Sequence, residues 1–129
     1  IMEVSDWKEG LVSGLTRFVK EHSAMMEKKE PLVRALIGDA KLLPESTRDM
    51  LIETIKPYRQ RLERSISEAQ QRGEARADLN EQCVADILRD VLLAGMLRRT
   101  GYREKRYTVE EYLSTVIDLF THGMKTKKE

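Results

Sequence analysis

The sequence predicts an all-α protein, one domain over residues 1–129 built as an orthogonal or antiparallel bundle of five helices. Three observations carry that expectation. Apolar residues recur at alternating steps of three and four, the spacing that lines one face of a helix, and no segment shows convincing strand alternation. Helix-start and helix-stop residues divide the chain into segments of helical length. Charged residues make up 35% of the chain and apolar residues 40%, a balance that suits a soluble globular domain with its own core.

The first helix is expected over residues 5–28, with Leu11, Leu15, Phe18, Met25 and Met26, and His22 among them, as its buried stripe. Pro31 suits a first helical turn, where its missing N–H is no loss, and Leu32, Val33, Leu36 and Ile37 give a short second helix over 31–40. Pro44 opens the third, over 44–72, which sets Leu51, Ile55, Tyr58, Leu62, Ile66 and Ala69 on one face. Pro57 lies inside that helix and predicts a kink between Glu53 and Pro57. The chain then stops and restarts. Gly73 suits the left-handed position past a helix end, and Arg72 complements the negative end of the dipole. Asn80 caps the next helix, with Leu79 and Val84 spaced as a hydrophobic staple.

The fourth helix covers 81–99, with Arg98 and Arg99 at its negative end and Gly101 beyond. Its apolar residues, from Cys83 and Val84 through Ile87, Leu88, Val91, Leu92 and Leu93 to Met96 and Leu97, wrap too wide an arc for a helix buried on one side. It is therefore expected to pack on its own domain and on a second body, with the small pair Ala94 and Gly95 permitting close approach. Thr108 and Glu111 form a capping box for the fifth helix, over 109–124, and Val109, Leu113, Val116, Ile117 and Phe120 follow at helical spacing.

The connector Gln71-Arg72-Gly73-Glu74-Ala75-Arg76-Ala77-Asp78-Leu79-Asn80, set between a long helix and an apolar one, resembles the ligand-binding domain of TetR-type transcriptional regulators. The segment from Glu30 to Leu36 and the Pro57-Tyr58-Arg59 run resemble the same region, so the likeness covers nearly the whole chain. It implies the effector-binding and dimerisation domain of a TetR-like transcriptional repressor. In that family the last two long helices of each subunit join those of its mate in a four-helix interface about a two-fold axis. Here that makes a homodimer with Val91, Ala94, Gly95, Leu113, Val116, Ile117, Phe120 and Met124 at the interface.

The resemblance also implies a cavity among the first four helices, entered by a small apolar or amphipathic effector. Its candidate lining is Phe18, His22, Met25, Met26, Leu36, Ile55, Tyr58, Leu62, Cys83 and Ile87. Methionines and aromatics make an adaptable apolar wall, while His22, Tyr58 and Cys83 offer polar groups that orient a ligand. Ligand entering between the first and third helices would favour one spacing of two DNA-binding domains over another and lower operator affinity by linkage, with the kinked third helix as the moving element. The family reads operator DNA through an N-terminal helix-turn-helix domain, and nothing upstream of Trp7 is long enough to be one. The alternative is a helical small-molecule carrier or dimerisation module with no DNA function.

Other function classes find less support. The formal net charge of +1 argues against a general nucleic-acid surface. Lys56, Arg59, Arg61 and Arg64 are interleaved with Glu63 and Glu68, so they read as a solvated, paired face. A lone cysteine, no signal peptide and no apolar run long enough for a bilayer point to a cytoplasmic protein without a membrane segment. Enzymatic activity is not expected, because no nucleophile stands at catalytic spacing from a base and no glycine-rich phosphate loop is present. His22 and His122 lie far apart without a cysteine pair or Glu-x-x-His pattern, so neither a metal nor a cofactor is expected.

Overall fold

A computed structural model describes residues 7–38, 43–101 and 106–126, apart from the side chains of Ala35, Leu36 and Leu51. Among the described residues the chain forms five α-helices and no strand: α1 (Leu11–Lys28), α2 (Glu30–Gly38), α3 (Glu45–Gln71), α4 (Glu81–Gly101) and α5 (Val109–Met124). The first helix starts at Leu11, where its apolar stripe begins, and not near residue 5. Residues 7–10 make a turn instead, closed by the Gly10 amide donating to the Trp7 carbonyl at 3.1 Å, and Gly10 takes φ 114°, a conformation outside the helix. Ser5 lies outside the described residues, and α4 runs on past Arg99 to Gly101.

The start and stop signals act as physical chemistry requires. Gly73 takes φ 78° after α3. Its amide donates to the Gln70 carbonyl, and that of Glu74 to Ala69, each at 3.0 Å, which is the paired closure of a Schellman end. Asn80 Oδ1 accepts from the amides of Gln82 at 2.9 Å and Cys83 at 3.1 Å, so the side chain satisfies two orphan donors of α4. Thr108 Oγ1 does the same for α5, accepting from the Glu111 amide at 3.0 Å.

The connector does more than join two helices. Glu74 Oε1 accepts from the Leu11 amide at 3.1 Å and so caps α1 from 63 residues away in sequence. The hydrogen bond from Arg72 and the one from Leu11 hold its carboxyl below the usual carboxylate range. Arg72 Nη2 donates to the Trp7 carbonyl at 3.0 Å. Arg76 closes the other side: its amide donates to the Met124 carbonyl at 2.7 Å, Nη1 donates to Gly123 O at 3.2 Å, and its guanidinium also pairs with Asp78 at 2.8 Å. Gln70 Nε2 donates to the carbonyls of Arg76 and Leu79, fixing the path between. The start of α1, the end of α3, the start of α4 and the end of α5 are thereby tied at one pole of the bundle.

α4 runs through the middle, packed on α1, α3 and α5, while α1 also packs on α5 and touches α2 at its far end. Part of its wide apolar arc is buried inside the chain, at Val84, Leu88, Leu92 and Met96 together with the small Ala85 and Gly95, while Cys83, Ile87 and Ala94 are exposed. Leu15, Phe18 and Val19 from α1 and Leu62, Ile66 and Ala69 from α3 complete the core with them. Trp7 is 1% exposed and lies across Gly14, where an added Cβ would stand 2.3 Å from the indole Cγ. α3 is split in character although it is continuous across Pro57. Leu62, Ser65, Ile66 and Ala69 are buried beyond Tyr58, whereas Met50, Ile52 and Ile55 are 60%, 55% and 43% exposed before it.

Candidate functional site

The expected α1 stripe and α3 face meet at three rings. Phe18 and His22 are one helical turn apart on α1, and their rings stack at 5.0 Å between centroids with 16° between planes. Tyr58, one residue past Pro57 on α3, stacks on His22 at 5.6 Å and tilts toward Phe18 at 6.4 Å. His22 Nδ1 and the Tyr58 hydroxyl share a hydrogen bond of 2.7 Å.

This group is polar chemistry held in an apolar setting. Burial, with the positive charge of Arg89, lowers the His22 pKa from 6.5 to about 4, so the imidazole is neutral at physiological pH. Burial raises the Tyr58 pKa well above its ordinary value against the pull of Arg89, with Glu21 adding to the rise, so the phenol keeps its proton. A neutral imidazole and a neutral phenol against a phenyl ring can stack on a flat apolar group and exchange hydrogen bonds with one polar atom of a ligand. Arg89 supplies the positive charge beside them. Its place between Leu88 and Asp90 gave no hint of that role, because a charged neighbour pair on a helix reads as solvated surface.

The remaining sequence-derived lining residues divide. Met26 and Leu62 are buried in the core, and Met25 packs partly buried against it. Ile55 is exposed on the outer half of α3. Cys83 and Ile87 are exposed too, on the outward line of α4 that continues to Asp90 and Ala94. Neither is enclosed beside the rings. The side chain of Leu36 lies outside the described residues.

The residues expected at a subunit interface divide in the same way. Gly95 is covered by its own chain, because the Tyr112 ring of α5 lies where a Cβ would come within 2.5 Å and its hydroxyl donates to the Val91 carbonyl at 2.8 Å. The close approach expected at this glycine is therefore internal. Val116 and Met124 are buried in the same chain's core. Ala94 is exposed, and Val91, Leu113, Ile117 and Phe120 are half-buried, flanked by Leu119 at 66% exposure.

Among the described residues, no group of three His, Cys, Asp or Glu side chains could hold a metal, and no helix is long and apolar enough to cross a membrane. A family model for the tetracyclin repressor-like C-terminal domain matches residues 8–117, a span that takes in the ring group, the connector and most of α5. The chain belongs to that family. No curated protein and no solved structure matches it. Membership places this TetR-like domain among the effector-binding and dimerisation domains of regulators, a class that is typically not enzymatic.

Proposed function

We propose that this domain is the effector-binding and dimerisation half of a TetR-like transcriptional repressor, in which a small amphipathic molecule alters the DNA affinity of an N-terminal helix-turn-helix domain. The observation that carries the reading is the part-buried hydrogen bond between His22 and Tyr58, which joins α1 to α3 inside an aromatic stack. An effector with a flat apolar body and one hydrogen-bonding group competes for that bond. Phe18, Met26 and Leu62 in the core and Met25 packed against it would supply its apolar wall, and Ile55 is exposed three residues before Tyr58 on α3. Displacing Tyr58 moves the half of α3 that carries little packing of its own. The movement then biases the spacing of two DNA-binding domains. The protein acts in the cytoplasm.

The dimer is built on the outward line of α4 with α5: Ile87, Val91 and Ala94 against Leu113, Ile117 and Phe120 of a second copy. Sedimentation equilibrium gives a dimer for the parent chain and a monomer for an Ala94→Glu, Phe120→Glu double variant of unchanged helicity. A monomeric parent at high concentration overturns the interface. For the effector, a calorimetric screen of planar amphipathic compounds is expected to yield binders that Tyr58→Ala weakens at least tenfold, while Ile52→Ser leaves them unchanged. Binders that ignore both Tyr58→Ala and Phe18→Ala remove the ring group from the proposal.

A further inference from the structure

The geometry points to a second small-molecule site, for a ligand bearing a carboxylate or phosphate on a flat body, in the cleft where the end of α4 meets the start of α5. The cleft has a volume of about 850 Å³ and is lined in part by Arg98, Arg99, Arg106, Tyr107 and Val109, with Glu27 of α1 on its rim. That volume suits a small organic ligand. It lies at the pole opposite the connector, away from the ring group.

Charge balance argues for an anion. Three arginines converge, and among the described residues only Arg99 has a carboxylate partner, Glu27 at 2.8 Å. Arg98 hydrogen-bonds the Tyr107 hydroxyl and lies over the rings of Tyr107 and Tyr112, at 6.0 and 5.4 Å from their centroids. Arg106 has no ion pair among the described residues. Glu111, the other acid on the lining, accepts from Thr108 Oγ1 at 3.4 Å at the first turn of α5.

Arg99 itself is engaged, with one nitrogen on Glu27 and its guanidinium over the Tyr112 ring at 5.5 Å from the centroid, which leaves Arg98 and Arg106 for a ligand. The Tyr107 ring on the lining is held parallel to the Tyr112 ring behind it, to within 13° at 6.0 Å, which gives one wall a flat aromatic group. An oxyanion held by the forks of Arg98 and Arg106, with its body against that wall and the positive end of α5 behind it, pairs the two arginines of the lining that have no carboxylate partner among the described residues. Glu27 is the competitor, since its carboxylate occupies the third arginine. This site stands on its own residues and does not depend on the repressor reading.

The test is a titration of ¹⁵N-labelled protein with phenyl phosphate and, separately, with benzoate. Saturable shifts are expected at the side chains of Arg98 and Arg106 and the amides of Tyr107 and Val109, and whichever probe binds tighter identifies the headgroup. Arg98→Gln and Arg106→Gln each weaken binding about tenfold, the ordinary worth of one charge-assisted hydrogen bond. Glu27→Gln tightens it by releasing Arg99. The inference is overturned if neither probe gives saturable shifts there, or if an Arg98→Gln, Arg106→Gln double variant of unchanged circular dichroism binds as the parent does.

Discussion

The two ends of the third helix make opposite bargains with the rest of the chain. Its C-terminal half is buried against α4 and runs into a connector whose side chains bond Trp7, Leu11, Gly123 and Met124. Its N-terminal half carries Met50 and Ile52 in the open, and the α2 that precedes it exposes Leu32 and Ile37. The division falls at Pro57 and Tyr58, where the helix loses an internal backbone bond and gains a tertiary one to His22. The difference teaches where change is cheap. A ligand that moved the connector would have to break four helix ends at once, whereas one that moved the first half of α3 disturbs the His22 hydrogen bond and the ring contacts of Tyr58.

Acid gives the largest expected effect, because it acts where the two halves meet. The His22 pKa is depressed from 6.5 to about 4, so the unfolded chain takes up a proton before the folded one does. Stability is full above about pH 6.5 and falls by roughly 3 kcal/mol as the pH drops to about 4, by the linkage of 1.36 kcal/mol per pKa unit. Urea denaturation across that window shows the slope, and a His22→Asn variant flattens it. Next comes Gly14→Ala. The methyl group displaces the Trp7 indole from its seat, and the loss outweighs the better helix propensity of alanine, for a net cost of about 2 kcal/mol in the same assay.

Smaller effects sharpen the contrast. Gly73→Ala meets open space but forces a Cβ into a φ of 78°, for about 1 kcal/mol. Asn80→Ala uncaps α4 for a similar amount, about 1 kcal/mol. Met50→Ser and Ile52→Ser are expected to change stability by less than about 0.5 kcal/mol, as for exposed positions elsewhere. Hydrogen exchange reads the same division without substitution: amides before Tyr58 on α3 exchange well ahead of those from Leu62 to Ala69. Uniform protection along α3 would remove the contrast.

Much of this was legible in the order of residues. Gly73, Asn80 and Thr108 act within a few positions of themselves, and each does what its type and place imply. The stripe from Leu11 to Met26 is buried, with Met25 partly so, and so is the part of the α3 face from Leu62 to Ala69, because helical period sets them on one side; Ile55, at the same period on α3, is exposed and Tyr58 half-buried. What could not be read depends on partners far along the chain. Glu74 caps α1, Trp7 covers Gly14, and Tyr112 fills the notch at Gly95, each pairing decided by how the helices cross. The same limit explains Cys83 and Ile87. Their apolar character fits a pocket, but α4 turns that line outward. Arg89 was hidden for the converse reason, since its influence on His22 and Tyr58 arises only once three helices are assembled.

The four helix ends gathered at the connector make the bundle a set of levers with a common fulcrum. α1 has 18 residues, so at 1.5 Å per residue its tip lies roughly 27 Å from that pivot. A tilt of about 5° at the fulcrum carries the tip about 2 Å. The Glu27–Arg99 contact rides on that tip. Gain is thus set by helix length, and the amplitude is largest at the pole where α2 and the cleft lie.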